Sequence, residues 1–135
     1  MINVVCGYPG AGKTSYVKKH KKYNDVMLDL DIIYSAITDN NMREELRPSN
    51  IIKFINDFIR ASIYKADEYN FDVWLIRCCP DEIELEILKD NNAKIIWLDT
   101  SREQCKKRLF EDNRLLKGFE FICNRIDNQR KMMWK

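Results

Sequence analysis

The sequence predicts a three-layer α/β fold in which a mostly parallel sheet of four to five strands carries helices on both faces, and three observations lead there. Short β-branched or apolar runs alternate with segments of helical period along the whole chain. Two of the later runs, residues 72–78 and 93–99, are continuously apolar rather than alternating, the pattern of strands covered on both faces. The first run, Ile2 to Cys6, leads into a glycine-bearing turn and then a segment that can continue as a helix.

Taken in order, Ile2 to Cys6 is the first strand, and the helix after the turn begins near Lys13. Val26-Met27-Leu28-Asp29-Leu30-Asp31 reads as a second strand ending in carboxylates, followed by a helix from Ile32 to about Thr38 with Ile33, Ala36 and Ile37 on one face. A polar connector, Asp39 to Pro48, precedes a long helix that Ser49 is placed to cap. Its apolar positions Ile52, Ile55, Ile59 and Ile63, thickened by Ile51, Phe54 and Phe58, read as core rather than a partner-binding stripe. Asp72 to Cys78 is the third strand, Pro80-Asp81 opens a short helix to about Lys89, and Ala93 to Asp99 is the fourth strand. Ser101-Arg102-Glu103-Gln104 has capping-box spacing and starts a helix with Cys105, Arg108 and Leu109; a last helix runs from about Phe119 to Met133.

At 135 residues the chain reads as one domain, 1–135, without room for a separate substrate domain. No apolar run approaches the roughly 20 residues of a membrane span, and Met1 leads directly into the first strand, so no membrane or leader segment is expected. Five cysteines form no C-x-x-C pair and have only His20 for company, which argues against zinc and for a reducing, cytoplasmic setting. His20 itself, among Lys18, Lys19, Lys21 and Lys22, reads as a solvated helix-end residue. Net charge is +2 but unevenly spread: residues 39–99 hold eight Lys/Arg against thirteen Asp/Glu, and residues 100–135 hold ten against five. That asymmetry fits an anionic ligand met by the C-terminal segment, and also an ordinary solvated helix surface.

The turn is the sharpest signal. Gly7-Tyr8-Pro9-Gly10-Ala11-Gly12-Lys13-Thr14 is a complete G-x-x-x-x-G-K-[ST] phosphate loop in its required strand, loop, helix context, and it makes the expected fold a P-loop NTPase fold. Glycines at 7, 10 and 12 allow left-handed backbone and a close approach of N–H groups to phosphate oxygens. The helix N-terminus adds orphan donors and the positive end of its dipole. Lys13 is expected on the β- and γ-phosphates of ATP, the Thr14 hydroxyl on Mg²⁺, and Ser15 one phosphate further back. Asp29 and Asp31, two apart, would share one face of the strand end beside the loop, where a carboxylate can take the proton of an attacking hydroxyl. Helix capping by Asp31 is the alternative, and the two roles are compatible.

With the phosphate loop, the strand Leu28-Asp29-Leu30-Asp31-Ile32-Ile33, and Ile96-Trp97-Leu98-Asp99-Thr100 running into Arg108, the chain resembles the P-loop kinases, within them the polynucleotide-kinase-like and zeta-toxin-like group. The resemblance implies that Asp31 activates the acceptor hydroxyl and that Arg108 and Arg114 are lid arginines binding donor phosphates. The sequence departs from the group at Tyr34, where polynucleotide kinases carry an arginine, which weakens the case for a nucleic-acid end; the tyrosine could stack on a base. It departs again at Arg77, where a conventional Walker B strand ends in an acid, leaving Mg²⁺ to Thr14, phosphate oxygens, water and Asp29 or Asp31. Asp99 mimics that acid on a strand expected to be lid-side, and Arg77 could point into the cleft.

Three functions remain open from sequence. The first is an ATP- and Mg²⁺-dependent kinase acting on a hydroxyl of a nucleic-acid 5′ end, a nucleotide or a related small anion. The second is a nucleoside monophosphate kinase whose acidic segment 39–71 closes on the acceptor, and the third a non-catalytic ATP-binding regulatory or interaction protein. Arg125, Arg130, Lys131 and Lys135, with Trp134, could contact nucleic acid or simply form an exposed helix end.

Overall fold

A computed structural model describes residues 1–114 and 117–133. Trp134 and Lys135 lie outside them. The elements run β1 (Ile2–Cys6), α1 (Lys13–His20), β2 (Val26–Asp29), α2 (Leu30–Thr38), a 3₁₀ turn (Glu44–Leu46), α3 (Ser49–Tyr69), β3 (Val73–Arg77), α4 (Glu82–Asp90), β4 (Lys94–Trp97), α5 (Arg102–Glu111) and α6 (Phe119–Met133). The four strands form one parallel sheet in the order β2-β3-β1-β4, so β1 pairs Val4 with Leu75 on one side and with Ile95 on the other. The chain's α/β alternation is thereby satisfied with β1, the strand feeding the phosphate loop, inside the sheet.

Side chains of β1 alternate between two cores. Ile2, Val4 and Cys6 join Leu28, Tyr34, Val73, Leu75 and Leu88 with Ile55, Ile59, Ile63 and Ala66 of α3 on one face. Val5 meets Val17 of α1 and Ile76 on the other, giving the three layers. Burying each of these isoleucines fully contributes about 1.5–3 kcal/mol relative to leaving it in water. A third cluster of Ala11, Cys105, Leu109, Phe119 and Cys123 fastens α5 and α6 against the phosphate loop.

Several expectations need correction. Phe54 and Phe58 do not thicken the α3 stripe; they are 65% and 50% exposed. Each precedes a buried isoleucine by one residue, and one residue is a rotation of about 100° around a helix. Ser49 is the first residue of α3 rather than its cap; Pro48 holds the cap position and no side chain caps that end. The second strand ends at Asp29, so Asp31 stands on the first turn of α2 and does not share a strand face with Asp29. Ser101 does cap α5, accepting from the Gln104 N–H at 3.2 Å.

Candidate active site

The loop between β1 and α1 is held at both ends and in the middle. The Gly7 N–H donates to the Cys78 carbonyl at 3.2 Å, the Ala11 N–H to the Tyr8 carbonyl at 3.0 Å, and the Thr100 hydroxyl to the Ala11 carbonyl at 2.9 Å. Gly10 and Gly12 have left-handed backbone, φ +83° and +92°. Gly7 does not, against the sequence expectation; what disfavours a side chain there is space, since a Cβ would lie 3.1 Å from that of Ala11 and 3.3 Å from the Leu98 carbonyl, closer than most such contacts. At Gly10 a Cβ would come within 2.8 Å of the Cys105 carbonyl oxygen and 2.9 Å of Leu109 Cγ, because α5 rests directly on the loop.

Lys13 opens α1 with Gly12 in the cap position, and its ammonium donates to the carbonyls of Gly7 and Tyr8, each at 2.9 Å, with Cys78 Sγ at 3.5 Å. The neighbouring Cys6 thiol is pushed up to about 12, first by burial and then by Cys79. The described cysteines are all free thiols, and no cluster of three metal-binding side chains occurs among the described residues.

A relay runs from the loop to the second strand. The Thr14 hydroxyl donates to Asp29 Oδ2 at 3.0 Å, and Asp29 Oδ1 accepts the Asp31 N–H at 2.9 Å, so Asp29 caps α2. Asp29 is the buried member, 7% exposed, while the Asp31 side chain is 54% exposed. Asp31 Oδ1 accepts from Arg47 Nη1 at 2.6 Å, an ion pair no sequence motif announced. Glu44 leans over the same place: desolvation, with the Asp31 charge second, raises its carboxyl above the ordinary range, and Arg47 and Lys13 act in the opposite sense.

The oxygen pair of Thr14 and Asp29 suits a hard cation. Two cis ligands of an octahedral Mg²⁺ at about 2.0–2.1 Å stand about 2.9 Å apart, close to the separation seen here.

The two lid candidates are placed differently. Arg108 is exposed on α5 and in no ion pair among the described residues; its Nη1 lies 2.9 Å from where a Gly12 Cβ would be, directly over the phosphate loop. Arg114 follows the end of α5, its side chain exposed and 3.4 Å from Asp112. Arg77 does not enter the cleft: it holds the buried Glu84 through two bonds of 2.8 and 2.9 Å and reaches Asn56 at 2.9 Å. Ser15 lies exposed on the first turn of α1. Asp99, past the end of β4, is paired with Arg130 at 3.2 Å, and the Arg130 guanidinium covers the Trp97 ring at 4.3 Å.

Tyr8, variable by motif, is a structural tie. Its hydroxyl donates to Asp127 Oδ1 at 2.6 Å while Arg102 Nη2 donates to Asp127 Oδ2 at 2.7 Å. Burial pushes the Asp127 carboxyl up, but the bonds from Tyr8 and Arg102 outweigh it and hold it below the ordinary range. A cleft of about 280 Å³ opens beside this tie, lined among others by Gly7, Tyr8, Trp97, Asp99, Arg102 and Arg130. No helix among the described residues is long and apolar enough to cross a membrane.

A family model described as an AAA domain matches residues 2–130. Among solved structures, a chain in the structure of the Pnkp1/Rnl/Hen1 RNA repair complex is similar with a TM-score of 0.75 and 13% identity, over 97% of this chain and 45% of that one. A chain in a second structure of the Pnkp1/Rnl/Hen1 complex is similar with a TM-score of 0.62 and 16% identity, over 79% and 38%. At these identities the likeness is one of fold, and this chain spans less than half of either. No curated protein sequence matches it.

Proposed function

We propose, from the premise that the chain belongs to the AAA domain family, that it is an ATP-dependent P-loop kinase transferring the γ-phosphoryl group to a hydroxyl of a nucleotide, a nucleic-acid 5′ end or a related small anion. The observation that carries the reading is the relay Thr14, Asp29, Asp31, which joins the phosphate loop to an exposed carboxylate one helical step away. Lys13 leaves the Gly7 and Tyr8 carbonyls for the β- and γ-phosphates, and the loop N–H groups hold the rest of the polyphosphate. Mg²⁺, held by Thr14 and Asp29, would neutralise phosphate charge. Asp31 accepts the acceptor's hydroxyl proton as the new O–P bond forms and the bond from the γ-phosphorus to the bridging oxygen breaks, releasing ADP. Arg108, whose Nη1 stands over Gly12, meets the equatorial oxygens of the transferred group, and Arg114 is assigned the same duty.

The likeness of fold to chains of an RNA repair complex supports a nucleic-acid-related acceptor and partner, and a domain spanning residues 1–135 acting in the cytoplasm completes the proposal. Transfer from γ-labelled ATP to a panel of 5′-hydroxyl oligonucleotides and mononucleotides tests it. Product is expected with at least one class, absent in Lys13→Ala and Asp31→Asn, the latter still binding ATP. Preference for mononucleotides would favour a nucleoside monophosphate kinase. A second reading, ATP binding without transfer, draws on the missing acid at the end of β3, where Arg77 is committed to Glu84; tight ATP binding with no product from any acceptor would establish it.

A further inference from the structure

Arg47 belongs to no motif, yet its side chain is closely held beside the relay. It lies just past the 3₁₀ turn in the connector between α2 and α3, and its side chain is only 10% exposed. Three separate contacts fix its guanidinium. Nε donates to the Met42 carbonyl at 3.0 Å, the plane covers the ring of the buried Tyr34 with Cζ 4.8 Å from the centroid, and Nη1 donates to Asp31 Oδ1 at 2.6 Å. A rigid planar fork held in this way loses little freedom in binding a carboxylate, unlike a surface pair in which two long side chains must both be ordered. Asp31 is thereby gripped by one oxygen, while Oδ2 accepts from no described residue.

We propose that Arg47 is a positioning residue for Asp31: by holding Oδ1 it turns Oδ2 toward the acceptor hydroxyl. The inference rests on the reading of Asp31 as the proton acceptor in transfer. The charged neighbours of the pair include Glu44 from the 3₁₀ turn and Asp29 from β2, and the charges of Glu45 and Lys13 also act on Glu44. Tyr34 serves as the floor under the guanidinium, which accounts for an aromatic residue three positions after Asp31.

The test compares Arg47→Met, Arg47→Lys and Asp31→Asn in the full chain, by steady-state transfer kinetics and by amide hydrogen exchange. Losing an interaction used to orient the reacting group lowers kcat without raising KM, so Arg47→Met is expected to lose about 10–100-fold in kcat with KM for ATP and acceptor within about threefold. Arg47→Lys, keeping the charge but not the fork, recovers part of the loss. The Leu46 and Arg47 amides, bonded to the Arg43 and Glu44 carbonyls, report the pair without any turnover and are expected to exchange faster in both Arg47→Met and Asp31→Asn. Full kcat in Arg47→Met beside a dead Asp31→Asn overturns this inference alone, whereas undiminished transfer by Asp31→Asn overturns the reading beneath it. Should the wild type transfer to no acceptor, unchanged exchange in Arg47→Met overturns the holding role and faster exchange supports it.

Discussion

The Thr14 hydroxyl and the Asp29 carboxylate stand 3.0 Å apart, and that bond links the phosphate loop to the start of α2. Asp29 has two tasks, one with each oxygen: Oδ2 takes Thr14 and Oδ1 caps α2 through the Asp31 N–H. Replacing an N-cap aspartate by alanine costs about 0.5–2 kcal/mol. Asp29→Ala is therefore expected to lower stability by about that amount in urea titration and to weaken Mg-ATP binding in calorimetry, whereas Thr14→Ser keeps both. Unchanged nucleotide affinity in Asp29→Ala would remove this residue from the site.

Lys13→Ala deletes a charge-assisted contact to phosphate of the kind that contributes about 1.5–3 kcal/mol, hence about 10–150-fold in ATP affinity. Its ammonium otherwise rests on the part-buried Gly7 and Tyr8 carbonyls, which lose that donor in the variant, so a loss of fold stability of about 0.5–1.5 kcal/mol is expected beside the loss of affinity. Calorimetry and a melting curve of the same variant separate the two effects.

Gly10→Ala meets both a left-handed φ of +83° and backbone of α5 at 2.8 Å. The angle alone costs about 1–2 kcal/mol, and the clash adds to it because a helix carbonyl cannot swing aside. Gly12→Ala faces only the mobile tip of Arg108, at 2.9 Å, besides its own angle. The first variant is expected to melt at the lower temperature; the second should instead disturb the arginine over the loop and be read in transfer rate.

Acid should act in opposite senses at two carboxylates. Asp127 is held below its ordinary range in the fold, so its contribution is present above the unfolded value near 3.9 and disappears as pH falls through the folded one. The melting-temperature deficit of Asp127→Asn at pH 7 should close below about pH 4. Glu44 is raised by desolvation and by Asp31, so its ionised form costs stability above its folded value and the cost fades as pH drops. Glu44→Gln is accordingly expected to raise the melting temperature at pH 7 and to have no effect near pH 3.

Strands and loop were readable because local pattern decides them. β-branched continuity marked β1, β3 and β4, glycine spacing marked the loop, and the serine of 101 with the Gln104 N–H marked the start of α5. What escaped depended on partners far away in sequence. Which of two aspartates caps α2 was settled when the earlier one found Thr14, fifteen residues back. Arg77 offered itself to the cleft until Glu84 and Asn56 closed around it, and Tyr8 shows its role only with Asp127 from the last helix in place. Arg47 left no trace in the sequence, since nothing in a polar connector tells which cation folds back sixteen residues onto Asp31.

The absence of a side chain at Gly10 lets α5 lie flush on the bend that precedes Lys13, so the helix that carries Arg108 is stationed before any triphosphate arrives. The seat of that helix on the loop is settled while the polypeptide folds, and only the free end of one side chain remains to be ordered at the encounter with ligand. A variant that pries the two apart should therefore slow the chemistry even where every contacting group is retained.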